Sequence, residues 1–275
     1  MYQDYSVLMS VYAKEKPEYL KQAIQSMMDQ TVPTNDFVLV CDGPLTPELD
    51  NVIIEYQNSY PDIFHIIRLS QNQGLGKALN VGLQHCKNEL VARMDSDDIS
   101  VPNRCQIQLD MFTKNISLSL ASGAIAEFDK SPDQLISVRN LPCMPEEISK
   151  FAKRRNPMNH MAVMYRKKEV MNAGNYQEMP LAEDYYLWAR MLCHNCQAQN
   201  TEKILVYARV GNGMYQRRGG LLYAKRIYSL QKSFLKLRFI SKFEFIQNCL
   251  IRISASLLPA CIRKQIYQKS LRGHI

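Results

Sequence analysis

Short apolar runs alternate with stretches of helical periodicity through the first hundred residues of the chain. Ser6-Val7-Leu8-Met9-Ser10-Val11-Tyr12 reads as a buried strand, because its apolar run is short and polar residues follow it. Pro17-Glu18-Tyr19-Leu20 opens a helix, with Pro and Glu in the turn that favours both, and Leu20, Ile24, Met27 and Met28 recur at helical spacing. Phe37 to Cys41 is a second buried strand, closed by Asp42-Gly43-Pro44, and Leu49, Ile53 and Tyr56 mark the next helix. Phe64 to Leu69 is a third strand, Gly76 to His85 a helix and Leu90 to Met94 a fourth strand.

This alternation predicts βαβ units and a parallel sheet. Ligands of such sheets bind outside the carboxyl ends of the strands, and Asp42 and Asp95 both fall there. Topology alone therefore brings two acids to one rim. The second half is more mixed: strands over Leu118 to Phe128, Met161 to Tyr165 and 203–209, and a helix over Leu181 to Leu192. From Gly220 the chain turns helical, with Tyr223, Ile227, Leu230, Phe234 and Leu237 on one face and Lys225, Arg226, Lys232 and Lys236 on the others.

Charge divides the chain. Of its 34 basic and 26 acidic residues, 217–275 hold 13 basic ones and the single acid Glu244, so the net +8 belongs to the tail and residues 1–216 carry −4. That balance argues against a general nucleic-acid surface on the main part. Met1 to Tyr5 has no basic n-region and the apolar run from Val7 is short, so a cytoplasmic start is expected. The eight cysteines are then reduced thiols. Cys193 and Cys196 have metal-like spacing, but no second pair stands at a zinc-site distance, and they read as incidental cysteines of a helix end.

Asp95-Ser96-Asp97-Asp98 crowds three carboxylates into four residues. Like charges this close repel, and a hard divalent cation, Mg2+ or Mn2+, relieves them. Read alone, the cluster is equally a solvated turn that caps the next helix. Its place at the end of a parallel strand favours the metal.

Four separated segments resemble the family 2 glycosyltransferases, of the bacterial exopolysaccharide and O-antigen type. They are Ser6 to Tyr12; Asn72-Gln73-Gly74-Leu75-Gly76-Lys77-Ala78-Leu79-Asn80-Val81-Gly82; Ala92 to Ile99 followed by Pro102-Asn103-Arg104; and Glu183-Asp184-Tyr185-Tyr186-Leu187-Trp188. Any one is weak, but the four stand in family order over about residues 5 to 210. The resemblance implies the α/β GT-A fold, a mostly parallel central sheet flanked by helices that binds a nucleotide-diphospho-sugar.

It also implies roles. Ser10, Val11 and Tyr12 would cradle the base, and Asp42 would accept a hydrogen bond from uracil or ribose. Asn72, Gly74, Lys77 and Asn80 would lie beside the nucleotide, with Lys77 meeting phosphate. Asp95 and Ser96 would belong to the donor site; Asp97 would be the main metal ligand, Asp95 would hold ribose or metal, and Asp98 would cap the turn into Ile99. Arg93 would anchor the carboxylates, His160 would approach the diphosphate or acceptor, and Arg217-Arg218 would form either a lid or an ordinary basic turn. Asp184 would be the general base, oriented with Glu183, in a single inverting displacement from a UDP-sugar of glucose or galactose type. The acceptor would be a glycan or a polyprenyl-diphosphate-linked precursor.

The division expected is a catalytic domain over 1–216 and a basic helical extension over 217–275. No stretch of that extension is long and apolar enough to span a membrane, so its expected place is the surface of an anionic inner leaflet, apolar stripe inward and basic face outward. Two rivals stay open: a non-catalytic nucleotide-sugar-binding protein, which intact Asp97 and Asp184 disfavour, and a nucleotidyltransferase. The latter calls for a Gly-rich loop after the first strand, where this chain has Ala13-Lys14-Glu15-Lys16-Pro17.

Overall fold

A computed structural model describes residues 2–210 and 219–258. Strands β1 (Tyr5–Val11), β2 (Asp36–Cys41), β3 (Phe64–Arg68) and β4 (Leu90–Asp95) form a parallel sheet in the order β3-β2-β1-β4. Helices α1 (Pro17–Met28), α2 (Pro47–Ser59) and α3 (Leu75–His85) make the crossovers. These strands read as unbroken apolar runs because both of their faces are covered. Val7, Met9, Phe37 and Leu39 pack under α1 and α2, while Leu8, Val38 and Val40 pack under α3.

Gly82 sets how closely α3 lies on the sheet. A Cβ there would stand 2.5 Å from Leu8 Cδ1 and 2.6 Å from Val40 Cγ2. The register then fixes the rim. Ser10 pairs with Asp95, Val11 pairs with Cys41, and the Asp42 N–H donates to the Val11 carbonyl (2.8 Å).

The second half returns across the sheet. After β5 (Ile99–Ser100) and α4 (Arg104–Lys114), the long β6 (Leu118–Phe128) runs back, with β7 (Leu135–Arg139) as its antiparallel partner. Next come α5 (Pro145–Ala152), a 3-10 turn (His160–Ala162), β8 (Met164–Arg166), α6 (Lys167–Asn172), α7 (Glu183–Cys193) and β9 (Gln197–Arg209). The full order is β3-β2-β1-β4-β8-β6-β9-β5. Most of the ladder is parallel, because antiparallel β8 and β5 are only three and two residues long.

The expected strand at Met161 to Tyr165 is therefore half a turn: the Ala162 N–H bonds back to the Asn159 carbonyl, and extended backbone resumes at Met164. Strand β9 begins six residues before the expected 203, in a polar stretch that only its pairing with β6 makes a strand. Two further helices, α8 (Gly220–Lys236) and α9 (Lys242–Leu257), pack on α7, where Tyr185 meets Phe234 edge-on at 4.9 Å.

Replacing Gly82 by Ala should lower stability by about 1–3 kcal/mol through overpacking. Gly76→Ala should be neutral or slightly stabilising, since its Cβ would meet Tyr176 Cβ at an ordinary 3.5 Å. Urea midpoints of the two variants check the contrast, and equal midpoints would refute the close approach at Gly82.

Candidate active site

A cavity of about 570 Å³ opens at the carboxyl ends of β1, β2 and β4, within the size range of small-molecule sites. Of the expected residues, Ser10, Tyr12, Asp42, Asn72, Gly74, Asp95, Ser96, Asp97, His160, Glu183 and Asp184 line it. Val11 and Lys77 do not. The Val11 side chain is buried in the core, and Lys77 is exposed. Two residues along α3 turn Lys77 to the side opposite Leu75, which faces the cavity.

Asp42 is engaged by protein rather than presented free. Its two carboxylate oxygens accept from the Gln73 and Gly74 N–H groups at 2.7 and 2.9 Å. Gly43 makes this possible: at φ +90°, a Cβ there would stand 2.6 Å from Asn72 N. Asn80 likewise serves structure. Its amide brackets the Tyr176 backbone, donating to the carbonyl (2.7 Å) and accepting from the N–H (2.8 Å). The Tyr176 hydroxyl in turn meets His160 Nε2 at 2.9 Å. Burial, then the charge of Arg93, holds His160 well below its usual range, so the imidazole is neutral.

One oxygen each from Asp95, Asp97 and Asp98 lies within 4.8 Å of the others. The three have different ties. Asp95 forms an ion pair with buried Arg93. Asp98 is buried and accepts the Arg209 N–H (2.7 Å), so it closes the turn onto β9. The Asp97 carbonyl accepts from Arg209 Nε (3.0 Å), but its carboxylate receives no donor from another described residue, and burial, then Asp95 and Glu15, pushes that carboxyl up to about 7. Glu15, which accepts from the Ser96 hydroxyl at 2.8 Å, is a lining residue the sequence reading missed.

Across the cavity Asp184 stands in the first turn of α7, and its Oδ2 accepts from Asn156 Nδ2 (2.6 Å). Burial raises the Asp184 carboxyl and the hydrogen bond from Asn156 partly offsets that. Burial also raises Glu183, whose Oε2 is buried without a hydrogen-bond partner among the described residues. Asn156, Arg209 and the cavity-lining Tyr223 of α8 were likewise not singled out, since only the fold brings them here. Arg217 and Arg218 lie outside the described residues. Cys193 is exposed and Cys196 is buried against Glu169 (Sγ to Oε2, 3.5 Å), and among the described residues no metal-binding group forms around them.

Among the described residues the lining carries Glu15, Asp42, Asp95, Asp97, Glu183 and Asp184 but no lysine or arginine. Such a lining favours an anionic ligand that arrives with a cation beside it. The donor set fits Mg2+ or Mn2+: oxygen ligands only, crowded, with Asp97 uncommitted.

The profile of glycosyl transferase family 2 matches residues 6–171. A relative from Haemophilus influenzae, an uncharacterized glycosyltransferase, is 41% identical over 98% of this chain and 99% of its own length. The UDP-Gal:alpha-D-GlcNAc-diphosphoundecaprenol beta-1,3-galactosyltransferase of Escherichia coli is 38% identical over 98% and 96%. The amylovoran biosynthesis glycosyltransferase AmsE of Erwinia amylovora is 36% identical over 98% and 100%. Among solved structures, S. aureus TarS 1-349 in complex with UDP-GlcNAc superposes with a TM-score of 0.69 at 18% identity, over 97% of this chain and 76% of that one. The Pyrobaculum calidifontis mannosyltransferase PcManGT, in complex with GDP-Man and Mn2+, gives 0.65 at 14%, over 100% and 77%.

A carboxyl raised by the fold contributes stability that is fully present below its unfolded value and is lost as pH rises through its folded one. In EDTA, Asp97→Asn is therefore expected to melt above wild type, with a gap that opens between about pH 4 and 7 and then holds. Mn2+ should close the gap by stabilising wild type. Thermal melts across pH decide, and coincident curves at pH 8 without metal would show that Asp97 is not strained.

Proposed function

The chain belongs to glycosyl transferase family 2 and is a glycosyltransferase; on that premise we propose that it moves a hexose from a UDP-sugar, UDP-galactose foremost, to an acceptor sugar on a polyprenyl diphosphate in surface polysaccharide assembly. The observation that carries this reading is the acid-lined cavity, closed on one side by the strand-end aspartates and on the other by an Asp184 that Asn156 orients. The names of the Escherichia coli and Erwinia amylovora relatives support the donor, the lipid-linked acceptor and the polysaccharide context. The work would take place at the inner face of the plasma membrane.

Ser10, Tyr12 and Asn72 form the nucleotide wall, and Asp42 holds the 72–74 loop against it. Asp97, with Asp95, would hold Mn2+ or Mg2+, which when bound neutralises the diphosphate and stabilises the charge left on departing UDP. Asp184 takes the proton of the acceptor hydroxyl while that oxygen attacks the anomeric carbon. Asn156 occupies one of its oxygens and so leaves the other for this task. Its raised carboxyl makes it a stronger base than a solvated aspartate. One displacement inverts the centre, so an α-linked donor gives a β-linked product. Neutral His160 acts as a hydrogen-bonding wall, not as a charge.

A panel of nucleotide sugars, assayed with Mn2+, Mg2+ or EDTA, tests the reading. Asp184→Asn should keep UDP binding and lose about 10²–10⁴-fold in turnover, and unchanged turnover would remove Asp184 as the base. Activity that survives both EDTA and Asp97→Ala would refute the metal. The acid limb of kcat should lie above the ordinary aspartate range, because Asp184 must be ionised to act and burial raises it.

A further inference from the structure

The two C-terminal helices described are both amphipathic, yet they face opposite ways. Helix α8 turns its apolar side inward, burying Ile227, Leu230 and Phe234. Helix α9 buries polar residues on its inward side, with Phe245 packed beside them. Asn248 is buried and donates to the Lys153 carbonyl (2.8 Å) and to Gln231 Oε1 (3.0 Å), and Ser256 is buried on the same helix. The outer side of α9 carries Phe243, Ile246, Leu250 and Leu257 at helical spacing, with Phe243 75% and Leu250 65% exposed. An apolar stripe facing water reverses the normal order of a surface helix and marks a surface that something covers. The inward stripe expected from the Tyr223 to Leu237 spacing is found in α8 at Ile227, Leu230 and Phe234, whereas α9 turns the other way, with the Asn248 amide held by the Lys153 carbonyl and Gln231.

The charges say what covers it. Lys225, Lys232, Lys236, Arg238 and Lys242 are exposed on the hairpin. Its one acid, Glu244, is taken up by the capping box with Ser241 and by Lys153 at 3.5 Å. A second copy of the chain on this face would set one group of lysines against another. An anionic lipid surface satisfies both the stripe and the lysines. Position agrees as well. The Asn248–Gln231 bond and the short link between the helices set them antiparallel, which brings Leu257 toward the start of α8. Exposed Leu221 and Leu222 lie there, next to the cavity-lining Tyr223.

We propose that the outer face of α9, together with Leu221 and Leu222 at the lip of the cavity, docks on an anionic bilayer, with the stripe among the acyl chains and the lysines on the headgroups. The inference deepens the proposed function, on which it rests only for what the cavity receives there, an acceptor held in that bilayer.

The test uses the full chain and vesicles of mixed phosphatidylglycerol and phosphatidylcholine against pure phosphatidylcholine. Wild type should sediment with the anionic vesicles, less so as salt rises, and weakly with the neutral ones. The variant Phe243→Glu/Ile246→Glu/Leu250→Glu should lose at least about tenfold in partition. It should keep the wild-type melting temperature and the transfer rate to a short-chain, water-soluble acceptor. Equal partition of variant and wild type would overturn the proposal. So would a wild-type dimer in light scattering that the variant abolishes, with no vesicle binding. Failure of the transferase reading, no transfer to any acceptor, would leave the sedimentation result readable on its own.

Discussion

Arg93 lies 1% exposed beneath Asp95, Asp97, Asp98, Glu183 and Asp184, and its charge acts on all five. Its Nη2 donates to Asp95, while its Nε and Nη1 have no hydrogen-bond partner among the described residues, so that one bond and the surrounding charge hold it. Removing one side of such an arrangement is costly, because an uncompensated buried charge remains. The surrounding structure exists to keep these groups together. Parallel pairing of β1 with β4 supplies Asp95, the backbone of Arg209 in β9 fixes Asp98, and the start of α7 delivers the other two. A second buried guanidinium, Arg104, donates to the Arg93 and Val163 carbonyls (2.6 and 3.1 Å) and pins the chain under the cluster. Both arginines sit in the segment that reads as a metal motif, yet neither lines the cavity.

What the sequence discloses depends on how local the cause is. The parallel half is legible because strands buried on both faces must be apolar runs, and because their carboxyl ends share one rim. The Asp95 to Asp98 cluster is legible because its repulsion is written in four consecutive residues. Asn156, Glu15 and Arg209 are hidden for the opposite reason. Each matters through a partner 28, 81 or 111 residues away, and an isolated polar side chain carries no trace of such a partner. The first six residues of β9 are hidden in the same manner, since β6 rather than their own composition makes them a strand. Asn72 to Gly82 shows an intermediate case. The stretch is easily found, but two of its residues serve shape: Gly82 lets α3 down onto the sheet and Asn80 clamps Tyr176.

Periodicity has a related blind spot in the C-terminal hairpin. The spacing of Ile227, Leu230 and Phe234 and that of Phe243, Ile246 and Leu250 describe the same kind of helix. A stripe has a direction only relative to its neighbours. The Asn248 amide, caught between Lys153 and Gln231, and Phe245 packed beside it mark which side of α9 is inside.

The charge division now acquires a mechanical meaning. Residues 1–216 carry −4, and the hairpin residues 219–258 carry +6, with seven basic residues against Glu244. Near an anionic surface the first part is repelled and the second attracted, so the protein is turned as well as held. The torque acts within a Debye length, about 8 Å at physiological salt, and it presents the hairpin first. Tyr223 lies on that hairpin and lines the cavity. On the proposed docking, the end of the molecule brought to the surface would be an end that opens into the site. An acceptor confined to the bilayer would reach Asp184 from there, while a soluble UDP-sugar needs no orientation at all. The acids that make the cavity demand a cation would then also keep the catalytic body off the membrane.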